Sequence, residues 1–297
     1  MPLLSGTGKM AKDTVLSFIE DEALSRGAAI AFYTVTAIAP VMLIVIAIAG
    51  LAFGREAAQK ALTGQLSSLM GQQAAELLQA AVASAAGKPS GILATLLGIT
   101  MLIATASGVF GEMQSALNKI WRTKAKGTTV SRMIRARAAS IGLVATLGFL
   151  LIVSLVVSAG LTAFGDYLNS VLPFGQLIMT VLNGAVSLTL ISMLFAAIYK
   201  ILPNRHLEWR DVIVGAVVTA VLFTIGKAGI GWYIGSSAVA SSYGAAGALI
   251  VVLLWIYYST QIFLLGAEFT KIYANRRRSK QRSPVAESES RASGDRD

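Results

Sequence analysis

The chain has 297 residues, of which 55% are hydrophobic and only 13% charged, and its mean hydropathy is +0.68. A water-soluble domain carries about a quarter charged residues, so an ordinary soluble globule is excluded. The formal charge is +10; the absence of cysteine excludes disulfides and thiolate clusters, and with a single histidine no conventional zinc centre, other metal or cofactor is expected.

Residues 1–27 place Val15, Leu16, Phe18, Ile19, Ala23 and Leu24 at helical spacing, which predicts an amphipathic helix lying in the membrane plane on the cytoplasmic side. Glu20-Asp21-Glu22 make this leader too acidic for a cleaved signal, and the apolar run after it is about twice a signal core. Six apolar stretches follow, at about 28–53, 91–110, 138–164, 177–199, 212–234 and 244–269. Each is long enough, at about 1.5 Å per residue, to cross a hydrocarbon core of about 30 Å. The fold class is therefore all-α: a polytopic bundle of six transmembrane helices over 28–275.

Pro40 lies near the middle of the first stretch, where it removes a backbone hydrogen bond and predicts a kink that serves either packing or gating. The loop 54–90 has an amphipathic pattern that either rests on the outer surface or caps an external opening. The loop 111–137 is strongly basic, 200–211 is a tight turn, and 276–297 is a basic, polar tail with few apolar residues (Pro284, Val285, Ala286 and Ala292), expected to be disordered.

Taking alternate ends of the stretches, one side collects Lys9, Lys12 and Arg26, seven residues from Lys119 to Arg137, then Lys200, Arg205 and Arg210, and eight from Lys271 onward. That is 21 of the 25 Lys and Arg residues. The positive-inside rule then sets both termini in the cytoplasm. The same placement makes anionic lipid headgroups, rather than nucleic acid, the expected partner of the basic loops.

Three stretches carry a family resemblance: Ala31-Phe32-Tyr33-Thr34 with Ala39-Pro40; Leu202-Pro203 through Trp209-Arg210-Asp211 to Gly215-Ala216; and Ser242-Tyr243-Gly244-Ala245 through Leu254-Trp255-Ile256-Tyr257 to Gly266-Ala267-Glu268. Together they resemble the YihY/BrkB membrane proteins, some of which were formerly misassigned as ribonuclease BN. The resemblance implies a six-helix protein of the bacterial inner membrane, with solute export among the roles proposed for the family. It carries over Tyr33, Pro40, Pro203, Trp209, Asp211, Tyr243, Gly244, Trp255, Tyr257 and Glu268, with no catalytic assignment.

Lys227 is the sharpest anomaly within the spans, about 22 Å along the fifth stretch by helical rise. An ammonium at that depth either binds an anionic group in a cavity or snorkels to the outer interface marked by Trp232 and Tyr233. Glu268 falls about 36 Å along the sixth stretch and Glu112 about 32 Å from the start of the second. Both therefore sit at the inner edge, too far from Lys227 to pair with it. There they either shape a cytoplasmic vestibule or pair with Arg26, Arg205 or Arg210. Asn183 and Gln261 suit interhelical hydrogen bonds.

The candidate solute-binding residues are thus Lys227, Tyr33 and Tyr243; the kink and gating candidates are Pro40, Gly226, Gly229 and Gly244; and the vestibule carboxylates are Glu112 and Glu268. No residue is assigned to catalysis or to a metal. An enzyme is not expected, because a ribonuclease needs clustered carboxylates or a paired acid and base, and His206 stands in a turn of ordinary composition. No Gly-Lys-Ser/Thr phosphate loop occurs either. The leading expectation is a transporter exporting a small anionic solute. The alternatives are a non-transporting scaffold that binds lipids or partner proteins and, third, a membrane-bound hydrolase built on Glu112, Glu268 and His206.

Overall fold

The computed structural model describes residues 2–70, 75–76, 79–80, 108–123, 150, 153, 157, 175–236 and 244–294. Among them every regular element is a helix: α1 (Pro2–Glu20), α2 (Ala23–Phe53), α3 (Arg55–Met70), α4 (108–120), α5 (Gly175–Ile201), α6 (Trp209–Ser236) and α7 (Gly244–Gly294). Three contain segments long and apolar enough to cross a membrane: Gln176–Ile201, Trp209–Tyr233 and Leu249–Ser279. They coincide with the fourth, fifth and sixth predicted stretches. The first stretch lies inside α2, whose helix runs through Pro40. Most of 91–110 and 138–164, and all of the 124–137 part of the basic loop, lie outside the described residues.

Two boundaries differ from the pattern in the sequence. The first long helix starts at Ala23 rather than 28, because Glu22 adopts a left-handed conformation (φ 56°, ψ 36°) that ends α1 and redirects the chain. At the other terminus, α7 continues to Gly294 through most of the polar 276–297 segment. Extending an existing helix adds one hydrogen bond per residue without a new nucleus.

α7 packs against α6, α2 and α1, while α5 packs on α6 and α3 on α2. The α6–α7 seam is built from reciprocal notches. A Cβ at Gly266 would meet Thr219 Oγ1 at 1.9 Å, and one at Gly215 would meet Thr270 Oγ1 at 1.8 Å. Each threonine donates back to the carbonyl four residues earlier, Thr219 to Gly215 at 2.7 Å and Thr270 to Gly266 at 2.6 Å. The hydroxyls are thereby satisfied while the backbones approach closely, as small residues allow in an apolar medium. Tyr199 of α5 joins the seam, donating to the Phe263 carbonyl at 2.7 Å and meeting Thr219 Oγ1 at 3.1 Å.

Two apolar clusters result. The larger lies where the α1–α2 turn, α4, the end of α5, the 202–208 loop, the first half of α6 and the middle of α7 converge, with Leu117, Ile120, Trp121, Tyr199 and Leu264 at its centre. This convergence is called the basic end below. The smaller joins Ala31 of α2, Ile230 of α6 and Val251, Val252, Trp255 and Ile256 of α7, farther along the bundle.

Candidate functional site

The site is assembled from chain ends and turns. α4 finishes at 120 and is closed by a pair of bonds that identify a Schellman cap: Thr123 N–H donates to Asn118 O, and Arg122 N–H to Lys119 O, both at 2.9 Å. The residue that must be left-handed in this motif is usually glycine; here it is Arg122, at φ 48°. The strain keeps an arginine at the mouth of the site. The facing loop is clamped onto α4 by three bonds. Gln114 Nε2 donates to Leu202 O at 2.9 Å, Asn204 N–H to Asn118 Oδ1 at 2.9 Å, and Arg205 Nη1 to Trp121 O at 3.2 Å. Arg205 also lies over the Trp121 ring, 5.7 Å from its centroid.

Between these elements is a cavity of about 310 Å³ lined by Ser17, Ile120, Trp121, Arg122, Arg205, Lys271, Ile272 and Asn275. Three of these side chains are cationic and two others are small polar groups. The wall at Trp121 is 3% exposed, and its indole Nε1–H is buried without an acceptor.

Lys271 links the cavity to a buried acid pair. Its Nζ lies 2.7 Å from Glu268 Oε2, one helical turn back on α7, and 3.1 Å from Asp21 Oδ2 in the α1–α2 turn. Glu268 is 0% exposed, and its Oε1 has no hydrogen-bond donor. Burial works against the charge on Asp21. Hydrogen bonding with Glu268 and Lys271 and the nearby Lys271 and Arg122 charges outweigh it, so the Asp21 carboxyl is held below the ordinary aspartate range.

Further ion pairs surround this core. Glu22 meets Lys119 at 2.6 Å, and Arg277 reaches both the buried Asp211 at 2.8 Å and Glu208 at 2.6 Å. Arg276 meets Asp13 at 2.7 Å, and Arg278 stands 4.0 Å from Glu208. The arginine triplet thus ties α7 to α1 and to the start of α6.

The residues singled out in the sequence disperse. Glu112 is 3.4 Å from Arg26 and takes no part in the cavity. Lys227 is half-buried on α6 and has no ion pair among the described residues. Beside it, Gly226 is covered by Tyr258 and Ile262, whereas Gly229 faces open space. Tyr33 covers Gly108 of α4 and meets Phe32 edge-on at 6.0 Å. Gly244 opens α7, and Tyr243 lies outside the described residues.

Gln261 lies against Gly27 and bridges α7 to α2, its Nε2 donating to Leu24 O at 3.4 Å. His206 is exposed, and no group of three or more His, Asp or Glu side chains placed to hold a metal occurs among the described residues. Only Glu268 of the candidates joins the site. Trp121, Arg122, Lys271 and Asp21 carry no site role in the sequence analysis, and Arg205 figures there only as an ion-pair partner for the inner carboxylates. Lys271 had one visible signal, its position one turn after a carboxylate in an apolar helix.

The chain belongs to the family described as virulence factor BrkB, whose profile matches residues 14–291. It is similar to a UPF0761 membrane protein of Pseudoalteromonas translucida, 27% identical over 85% of this chain and 81% of that protein. A UPF0761 membrane protein of Alkalilimnicola ehrlichii is 27% identical over 87% of this chain and 56% of its own length. One of Ralstonia nicotianae is 33% identical over 58% of this chain and 38% of its own. The chain thus spans about half the length of several curated relatives it matches. No solved structure matches it. With three membrane-length helices among the described residues, the chain is an integral membrane protein of this family.

Proposed function

We propose that the protein crosses the bacterial inner membrane six times with both termini in the cytoplasm, and that it exports a small anionic solute. The observation that carries this reading is the cavity at the basic end, where Arg122, Arg205 and Lys271 reach one space of about 310 Å³. A volume of that size suits a small metabolite. Guanidinium groups present forked donors to carboxylate or phosphate oxygens, and the surrounding basic residues raise the local anion concentration. The basic end then faces the cytoplasm, its remaining cations rest on anionic headgroups, and the cavity is the loading station.

Lys227, about 27 Å along α6 from Trp209 by helical rise, is a second station on the outward path. The notch-packed α6–α7 seam between the stations holds the helices as one body, while the open face at Gly229 leaves room for movement.

The test is flux. Purified full-length protein in proteoliposomes is expected to exchange loaded radiolabelled sulfate or phosphate, and Arg205→Ala to reduce the rate at least tenfold. Lys227→Ala is expected to slow flux without weakening binding at the basic end. Tight binding of phosphatidylglycerol with no flux of any small anion would instead establish the scaffold reading.

A further inference from the structure

We infer that the cavity takes up its oxyanion together with one proton: the anion draws Lys271 away from the two buried carboxyls, and the proton then closes a bond between Asp21 and Glu268. This rests on the cavity being an anion site.

Three observations carry it. First, Lys271 is shared. Lys271 lines the cavity, and its ammonium is the sole cation within ion-pair distance of both Glu268 (2.7 Å) and Asp21 (3.1 Å) among the described residues. A lysine has a flexible four-carbon stem and a single compact charge, so turning toward an anion weakens its hold on the carboxyls.

Second, the two carboxyls share one ammonium, so that Glu268 Oε2 and Asp21 Oδ2 lie no more than about 6 Å apart. Glu268 is fully buried and the Asp21 side chain 9% exposed. Two carboxylates at such range and burial do not both stay ionised without their cation, and one proton is shared between them. Third, Glu268 Oε1 is buried and receives no donor. A proton on the pair supplies what that oxygen lacks.

The groups facing the pair are Lys271 from α7 and, acting on Asp21, Arg122 from the end of α4. Arg205 reaches the same cavity from the 202–208 loop. Arginine stays protonated throughout the physiological range, so neither arginine supplies the proton count. His206 is exposed on that loop and is the other titrating group to control.

Two states follow. In one, Lys271 bridges both carboxylates and the cavity is empty. In the other, Lys271 and the arginines hold the anion, and a proton taken from water sits between Asp21 and Glu268. The proton comes from hydronium or a buffer acid in the solvent: its bond to that donor breaks, an O–H bond forms on one carboxyl, and no other covalent bond changes. An anion leaving the site sends the proton back to the solvent, so loading and release of the anion are linked to one proton.

The test is calorimetric titration of the full chain in detergent with sodium sulfate, a dianion that does not itself titrate near neutrality. It is run in buffers of differing ionisation heat. At about pH 8 the expected uptake approaches one proton per sulfate, and affinity falls up to about tenfold per pH unit as pH rises. Glu268→Gln is expected to bind sulfate with no proton uptake and a flat pH profile, and His206→Gln to keep both the uptake and the slope. If Glu268→Gln does not fold, the slope in the wild-type and His206→Gln proteins decides the question.

Sulfate binding with no proton uptake overturns the coupling and leaves the anion site standing. No sulfate binding overturns both. Proton-linked binding without liposome flux overturns the transport reading alone. A phosphatidylglycerol headgroup offers the same oxygen chemistry. Saturation by that lipid in nanodiscs, with sulfate unable to compete, overturns the free-anion cargo.

Discussion

The basic end and the far half of the α6–α7 pair are built from the same two helices and have opposite characters. At the basic end, Lys271, Arg276, Arg277 and Arg278 of α7 meet carboxylates contributed by α1, by the turn that follows it and by the start of α6. The backbones there approach through Gly215 and Gly266. Farther along α6, Lys227 has no ion pair among the described residues, Gly229 and Gly231 face open space, and Ile225 and Trp232 are exposed. Buried charge is tolerated only where several chain segments converge to neutralise it. A helix in mid-span has no turns or termini beside it to do so. Lys227 is therefore anomalous by depth, whereas Lys271 is informative by company.

The largest effect should separate these two lysines. Lys271→Met leaves two buried carboxyls without their cation, and removing one member of a buried pair costs about 3–5 kcal/mol. Lys227→Met removes no ion pair among the described residues and is expected to change stability by less than about 0.5 kcal/mol. Thermal unfolding in detergent, followed by tryptophan fluorescence, compares the two directly. Mild acid should restore much of the Lys271→Met loss, because a proton substitutes for the missing ammonium. Equal destabilisation by both substitutions would break the contrast.

Next comes packing. Gly266→Ala places a methyl 1.9 Å from Thr219 Oγ1 and 2.7 Å from Tyr199 Oη. Thr219 is β-branched and bonded to its own helix, so it cannot turn aside. Overpacking of this kind costs about 1–3 kcal/mol. Gly229→Ala meets nothing within 4 Å among the described residues and is expected to stabilise α6 slightly, since alanine is the better helix former. A lower melting temperature for the first and an equal or higher one for the second sharpen the division between a notched end and an open one.

Acid should act on the basic end. The Asp21 carboxyl is held below its ordinary range in the folded protein. Its contribution is thus complete above the unfolded aspartate range and is lost as pH falls through the folded value. Asp21→Asn should remove that part of the acid sensitivity and lower stability at neutral pH. The comparison is between melting temperatures of the two proteins from neutral to strongly acid pH. Parallel curves would mean that Asp21 contributes nothing to the fall.

Much of the membrane-spanning architecture is legible in the chain, because apolar length is a property of contiguous residues. The stretches 177–199, 212–234 and 244–269 fall inside α5, α6 and α7. The site is not contiguous. Ser17, Arg122, Arg205 and Lys271 come from four separate elements, and each reads alone as ordinary interfacial charge. Glu268 stood out because a carboxylate in an apolar run is rare. Its partners could not, since nothing along the chain says that the 21–22 turn folds back onto α7. Glu22 and Arg122 are similarly silent, because left-handed backbone at a non-glycine residue leaves no mark in composition.

Arg122 supplies the smallest and most specific test. A left-handed conformation costs an L-residue about 1–2 kcal/mol, and glycine, the usual occupant of this cap position, avoids that cost while giving back about 0.5–1 kcal/mol in chain entropy. Arg122→Gly should therefore raise stability by roughly 0.5 kcal/mol, a small upward shift in melting temperature. At the same time it removes one of the three cations around the cavity, so sulfate affinity should fall several-fold. Arg122→Ala separates the causes, because it loses the same charge but keeps the strain, and should be no more stable than the wild type. If the glycine variant binds sulfate as well as the wild type, the arginine is held left-handed only by the cap, and the cavity is served by Arg205 and Lys271.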